Sequence, residues 1–115
     1  MRAAVLFLMV ASSGCAVIPM VRQGDIDAWK GAPVAELQAH AFFSTIPKRV
    51  EPLEGGRELW TYSNCDVKGG SLTCCHNQFF VRSDRVEQYR VSGQCYTDCS
   101  VRPPSRSCKP IQWVL

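Results

Sequence analysis

Six cysteines crowd the second half of this 115-residue chain: Cys65, Cys74, Cys75, Cys95, Cys99 and Cys108. So many thiols over so short a stretch point either to disulfides or to a metal centre, and both cross-link a domain that can bury only a limited core. The seventh cysteine, Cys15, stands far upstream of the rest. Setting it aside leaves an even number, as complete pairing requires. The compartment in which the chain folds therefore decides what its cysteines become.

The first fourteen residues, MRAAVLFLMVASSG, combine one basic residue, Arg2, with an apolar run and a small-residue end immediately before Cys15. The run is too short to span a bilayer, which takes roughly 20 apolar residues, and its flanks suit export. The layout resembles a bacterial lipoprotein signal, and that resemblance implies cleavage before Cys15 and lipidation of its thiol. Residues 1–14 then read as a signal peptide and 15–24 as a lipidated tether. Residues 25–115 read as a single small α+β disulfide-rich domain. Without the lipid, the alternative is a secreted disulfide-rich inhibitor or enzyme accessory. An exported chain of this size favours disulfides over metal ligands. Removing Arg2 with the signal leaves twelve Lys and Arg against ten Asp and Glu. That balance provides no basic stripe of the kind nucleic acid requires, so no nucleic-acid partner is expected.

The expected fold is an N-terminal helix packed on a three- to four-stranded antiparallel β-meander, with a disulfide-held irregular C-terminal tail. Residues 25–42 carry the helical signal. Asp25 suits an N-cap of a short first turn ended by Gly31, and Pro33 suits the first position of the next helix. Val34, Leu37 and Ala41 then fall on one helical face. From residue 48 the apolar period changes to two. Strands are predicted over 48–53, 57–67, 71–82 and 85–92, with Pro52 confining the first to an edge. Gly69-Gly70 reads as a two-residue turn with positive φ at both positions. The tail, 93–115, has no sustained period, and its Ile111, Trp113 and Val114 are expected to dock on the core.

The Gly69-Gly70 turn fixes a register in which Lys68 faces Ser71, Cys65 faces Cys74 as a non-hydrogen-bonded pair, and Trp60 faces Phe79. That register permits a Cys65–Cys74 disulfide. A three-residue connection at 83–85 sets Phe79 beside Tyr89, Val81 near Glu87 and Cys75 opposite Gly93. Cys95 is then within reach of Cys75 after a small bend. Cys99 and Cys108 remain to close a loop over Pro103-Pro104. The preferred set is therefore Cys65–Cys74, Cys75–Cys95 and Cys99–Cys108.

Little in the chain suggests catalysis. Cys74, Cys75 and His76 with Cys95 and Cys99 contain enough soft ligands for zinc, but adjacent strand residues point to opposite faces. Cys95-x-x-x-Cys99 lacks the spacing and the helix of a redox motif. His40 and His76 have no nucleophile elbow to serve and are expected at the surface. Asp25 and Asp27 are expected to cap a helix rather than to bind a cation. No catalytic residue, metal or cofactor is assigned. If the helix covers the Trp60–Phe79 face, Phe80 lies on the other one. There, with Trp113, it is a candidate for a partner surface.

The cysteine at the end of the apolar run, the tether and the apolar helix come first. A strand with Trp60-x-Tyr62 follows, then one with Phe79-x-Val81, and a return with Val86 and Tyr89. Over residues 15–91 this order resembles the small SmpA/OmlA (BamE-like) lipoproteins. The resemblance implies helices on a three-stranded antiparallel sheet and anchorage at the periplasmic face of the outer membrane. Such a chain is expected to be a non-catalytic interaction or structural module. It would meet the membrane through its N-terminal lipid and an unidentified envelope protein through its surface.

Overall fold

The computed structural model describes residues 21–108; Cys15, Ile111, Trp113 and Val114 lie outside the described residues. Four antiparallel strands form one sheet in the order β1-β2-β3-β4. They are β1 (Lys48–Pro52), β2 (Glu58–Lys68), β3 (Ser71–Arg82) and β4 (Arg85–Gly93). Among the described residues two short helices precede them, α1 (Gln23–Asp27) and α2 (Val34–Gln38), and a 3₁₀ turn spans Phe43–Thr45.

The β2–β3 register is the one expected from the glycine turn: Lys68 opposite Ser71, Cys65 opposite Cys74, Trp60 opposite Phe79. Gly69 and Gly70 have φ of 57° and 83°, which a two-residue I′ turn demands. The next hairpin differs from expectation. Its connection is the two-residue pair Ser83-Asp84, also at positive φ, and Val81 pairs with Val86 rather than with Glu87. A bulge beyond Phe80 then restores the register that sets Phe79 opposite Tyr89. The physical reason is parity. Val86 and Tyr89 are three residues apart and both buried, and a regular strand would send them to opposite faces. The extra residue, Glu87, turns outward to meet Arg57 at 2.9 Å and Arg82 at 3.1 Å.

Three disulfides close the chain: Cys65–Cys74, Cys75–Cys95 and Cys99–Cys108. Gly93, opposite Cys75 with φ of +90°, makes the bend that brings Cys95 within reach; a Cβ there would collide with the Cys74 carbonyl.

One face of the sheet is covered. Its Trp60, Tyr62, Phe79, Val81, Val86 and Tyr89 pack with Trp29, Leu37 and Phe43 from the segment before the sheet and Val101 from the tail. Phe79 stacks on Tyr89 with ring centroids 4.4 Å apart, and Trp29 meets Phe79 edge-on at 5.2 Å. Trp29 also donates its indole N–H to the Val101 carbonyl at 2.7 Å, which ties the tail into the core.

The covering layer corrects several expectations. Asp25 lies inside α1, whose N-cap is Arg22. That helix starts within the stretch read as tether. Pro33 is the N-cap of α2 rather than its first residue, because the Val34 N–H goes to the Asp84 carbonyl at 2.9 Å instead. α2 stops at Gln38, not at residue 42, and Ala41 is exposed. The His40 Nδ1 accepts the N–H groups of Phe42 and Phe43 at 3.0 and 3.3 Å. Those bonds bend the backbone away from the helix and drop Phe43 into the core. The helical segment is two short pieces broken around Gly31, as the sequence indicated, but the second ends sooner than expected.

Candidate functional site

The buried polar groups serve the fold. The Asp25 carboxylate is fully buried and is held by Arg22 Nε at 2.8 Å and Arg102 Nε at 2.6 Å. The Arg22 backbone N–H reaches the Thr97 hydroxyl at 2.8 Å. Hydrogen bonds from Arg22, outweighing the cost of burial, hold Asp25 well below the usual carboxylate range. His40 is buried rather than at the surface. Its Nδ1 accepts backbone N–H groups, so Nε2 carries the proton and donates it to the Arg102 carbonyl at 3.0 Å. Burial lowers its pKa and keeps the imidazole neutral. Both nitrogens are occupied, leaving His40 no lone pair for proton transfer. Asn77, buried beneath the sheet's covered face, donates to the Tyr62 carbonyl and accepts from the Tyr89 hydroxyl at 2.8 Å.

The opposite face of the sheet is left uncovered by the described residues. Alternation places Thr61, Ser63, Cys65 and Val67 of β2 on it, facing Gln78, His76, Cys74 and Leu72 of β3. Ser63 Oγ and His76 Nδ1 are 2.8 Å apart, within a shallow depression of about 380 Å³ that Arg49, Glu51 and Ser92 also line. His76 is half-buried, not freely exposed. Phe80 is half-buried on the same face, with the guanidinium of Arg57 at 5.3 Å and that of Arg90 at 4.9 Å from its ring centre. It is therefore a cation-covered platform rather than a bare apolar patch.

The exposed apolar side chains lie elsewhere. Beyond Ser63, β2 has no β1 partner, and β3 below Cys75 has no β4 partner, so the hairpin tip projects from the sheet. Val67 and Leu72 face each other on it, 67% and 68% exposed. Below the tip, on its other side, a polar cleft of about 490 Å³ runs between Asn64, Asp66 and Thr73 and the tail residues Tyr96, Asp98 and Ser100. Tyr96, at 66% exposure, is the bare aromatic ring among the described residues.

Sequence reasoning passed over Arg22, Arg102 and Thr97, whose roles depend on contacts across 75 or more positions. It also missed the exposure of Val67 and Leu72. Alternation assigned their face correctly, but the projecting tip, visible only once the sheet is assembled, leaves that face uncovered. Among the described residues no group of three or more His, Cys, Asp and Glu is placed to hold a metal ion. Nor is any helix there long and apolar enough to cross a membrane. Chemically, the open face presents guanidinium groups, one imidazole and a disulfide. Comparison with family models, curated proteins and solved structures finds no match to this chain.

Proposed function

We propose that this chain is a lipid-anchored cell-envelope protein, a non-catalytic interaction or structural module facing the periplasm from the outer membrane. The observation that carries the reading is Cys15. It follows a basic start, an apolar run and Ser-Ser-Gly, and it is left over when the other six cysteines pair with one another. Disulfides in a small domain are the chemistry of an oxidising compartment, which agrees with export. The BamE-like order of elements supports the same address and an accessory role beside an envelope protein. On this reading the finer architecture is that of a BamE-like domain, its helical segment packed on a meander.

Membrane attachment follows acyl length at ~0.8 kcal/mol per buried methylene, and two or more chains give stable anchoring. Cys15→Ser should therefore move the protein from the membrane to the soluble fraction. Identical fractionation of variant and wild type would show the anchor to be wrong. Ser12 favours a second reading, because lipoprotein signals prefer Leu three residues before the cysteine. In that case the chain is a secreted disulfide-rich inhibitor or enzyme accessory. Mass spectrometry of the mature N-terminus separates the two: an acylated Cys15 supports the anchor, an unmodified one the secreted form.

A further inference from the structure

We propose that Cys65–Cys74 is a thiol–disulfide exchange site, opened by a dithiol reductant while Cys75–Cys95 and Cys99–Cys108 stay closed. The three bridges differ in where they sit. Cys65 is the one exposed cysteine among the described residues; Cys74, Cys75, Cys99 and Cys108 are half-buried and Cys95 is 5% exposed. The Cys65–Cys74 bridge lies on the open face of the projecting hairpin; Cys65 has no β1 partner, and beside Cys74 only the chain leaving β4 approaches, with the Gln94 N–H donating to the Cys74 carbonyl at 2.9 Å. A thiolate carried by another protein can reach it without disturbing the covered face.

The bridge also does less for the fold than the others. It joins two strands already paired in register from Glu58 to Lys68. By contrast, Cys75–Cys95 fastens the tail to the sheet across a sequence separation of 20. Cys99–Cys108 closes the tail segment that provides Val101 and Arg102. Linkage is reciprocal: a bond that stabilises the fold little is itself stabilised little by the fold. Exposed bridges of this kind are the labile ones.

The neighbouring rung supplies an acid–base group. Ser63 and His76 are one same-face step from Cys65 and Cys74, about 7 Å along each strand, and the Ser63 hydroxyl orients the His76 ring at Nδ1. The exchange proceeds by attack of one reductant thiolate on the exposed Cys65 sulfur. The S–S bond breaks, Cys74 leaves as a thiolate, and a mixed disulfide forms at Cys65. The Cys74 thiolate takes up a proton, relayed from His76 one rung away on that face. The second reductant thiolate then attacks its own sulfur in the mixed disulfide and releases Cys65. The dithiol loses two electrons and becomes a disulfide. Its two protons end on Cys65 and Cys74.

The test is titration of the oxidised full chain with dithiothreitol, quenched by alkylation and read by peptide mass spectrometry. Cys65 and Cys74 should be alkylated at a dithiol concentration at least about tenfold below that needed for any other cysteine. The two-thiol form should keep the near-ultraviolet signal of the buried aromatic core. His76→Gln should slow the opening several-fold near neutral pH without changing which bridge opens first. Opening of Cys99–Cys108 or Cys75–Cys95 first, or of all three bridges together, would overturn the proposal. So would loss of the aromatic signal on opening Cys65–Cys74. An unchanged rate in His76→Gln would overturn the proton-donor assignment.

Discussion

The two ends of the β2–β3 hairpin belong to one ladder but live in different surroundings. At the base, Trp60, Tyr62, Phe79 and Val81 lie under Trp29, Leu37 and Phe43, with β1 and β4 hydrogen-bonded on either side. At the tip, residues 64–73 pair with neither β1 nor β4, and Val67 and Leu72 point into solvent. A two-stranded ribbon alone is marginal in water. The base is held by burial, and the tip carries a covalent rung. The comparison teaches that hydrogen-bond pairing sets the geometry of this hairpin, whereas tertiary cover sets its stability.

Several substitutions probe that difference. The largest loss is expected at the base: Phe79→Ala removes the ring at the centre of the aromatic cluster and should cost about 3–5 kcal/mol in chemical denaturation. Asp25→Ala comes next, at about 3 kcal/mol, since it leaves Arg22 and Arg102 facing each other without their carboxylate. Its pH signature is specific. The folded-state pKa of Asp25 is depressed below the ordinary 3.8. Its contribution is therefore complete above the ordinary carboxylate range and drains as pH falls through the folded-state value. Thermal melts of the wild type between roughly pH 4 and pH 2 should fall more steeply than those of Asp25→Ala. Equal slopes would mean that the carboxylate is not held as the ion pairs indicate.

At the tip the effects should be smaller. Opening the rung with Cys65→Ala and Cys74→Ala together should cost about 1–2 kcal/mol, the low end for a disulfide, because the hairpin is already closed by its ladder. A Cβ at Gly69 meets nothing within 4 Å, so Gly69→Val acts through backbone conformation alone. It should cost about 1–2 kcal/mol, while Gly69→Asn should be nearly neutral. Val67→Ser with Leu72→Ser should change stability by no more than about 0.5 kcal/mol. If that double variant unfolded as readily as Phe79→Ala, the tip would be covered after all, and the contrast between the two ends would fail.

The sheet was largely legible because its instructions are local. Period-two alternation located β2, β3 and β4, the Gly69-Gly70 pair fixed the register, and the register brought Cys65 to Cys74 and Cys75 to within reach of Cys95. The bulge at Glu87 was also written in the sequence, in the odd spacing of Val86 and Tyr89, both apolar. The strand bounds already left Ser83-Asp84 as the turn, as observed; the error lay in counting residue 85 into the connection when the register was set. The covering layer was far less legible. Asp25 looks like a cap when only its own helix is considered; its partner Arg102 is 77 residues away. Likewise, nothing near His40 announces that its ring will replace helical hydrogen bonds for Phe42 and Phe43. Local chemistry encodes the strands, while the cover depends on meetings between distant segments.

The Asp25–Arg102 pair also bears on the order of assembly. A chain made from its N-terminus presents α1 well before Arg102. During synthesis Asp25 and Trp29 therefore emerge long before the tail that receives them, while each strand from β2 onward can pair with the one just completed. The meander can form progressively, yet its cover must wait for the segment around Val101 and Arg102. Contacts of such long sequence separation are slow to close. Until they do, the aromatic face of the sheet remains open, and a chaperone that shields it would be most useful in that interval.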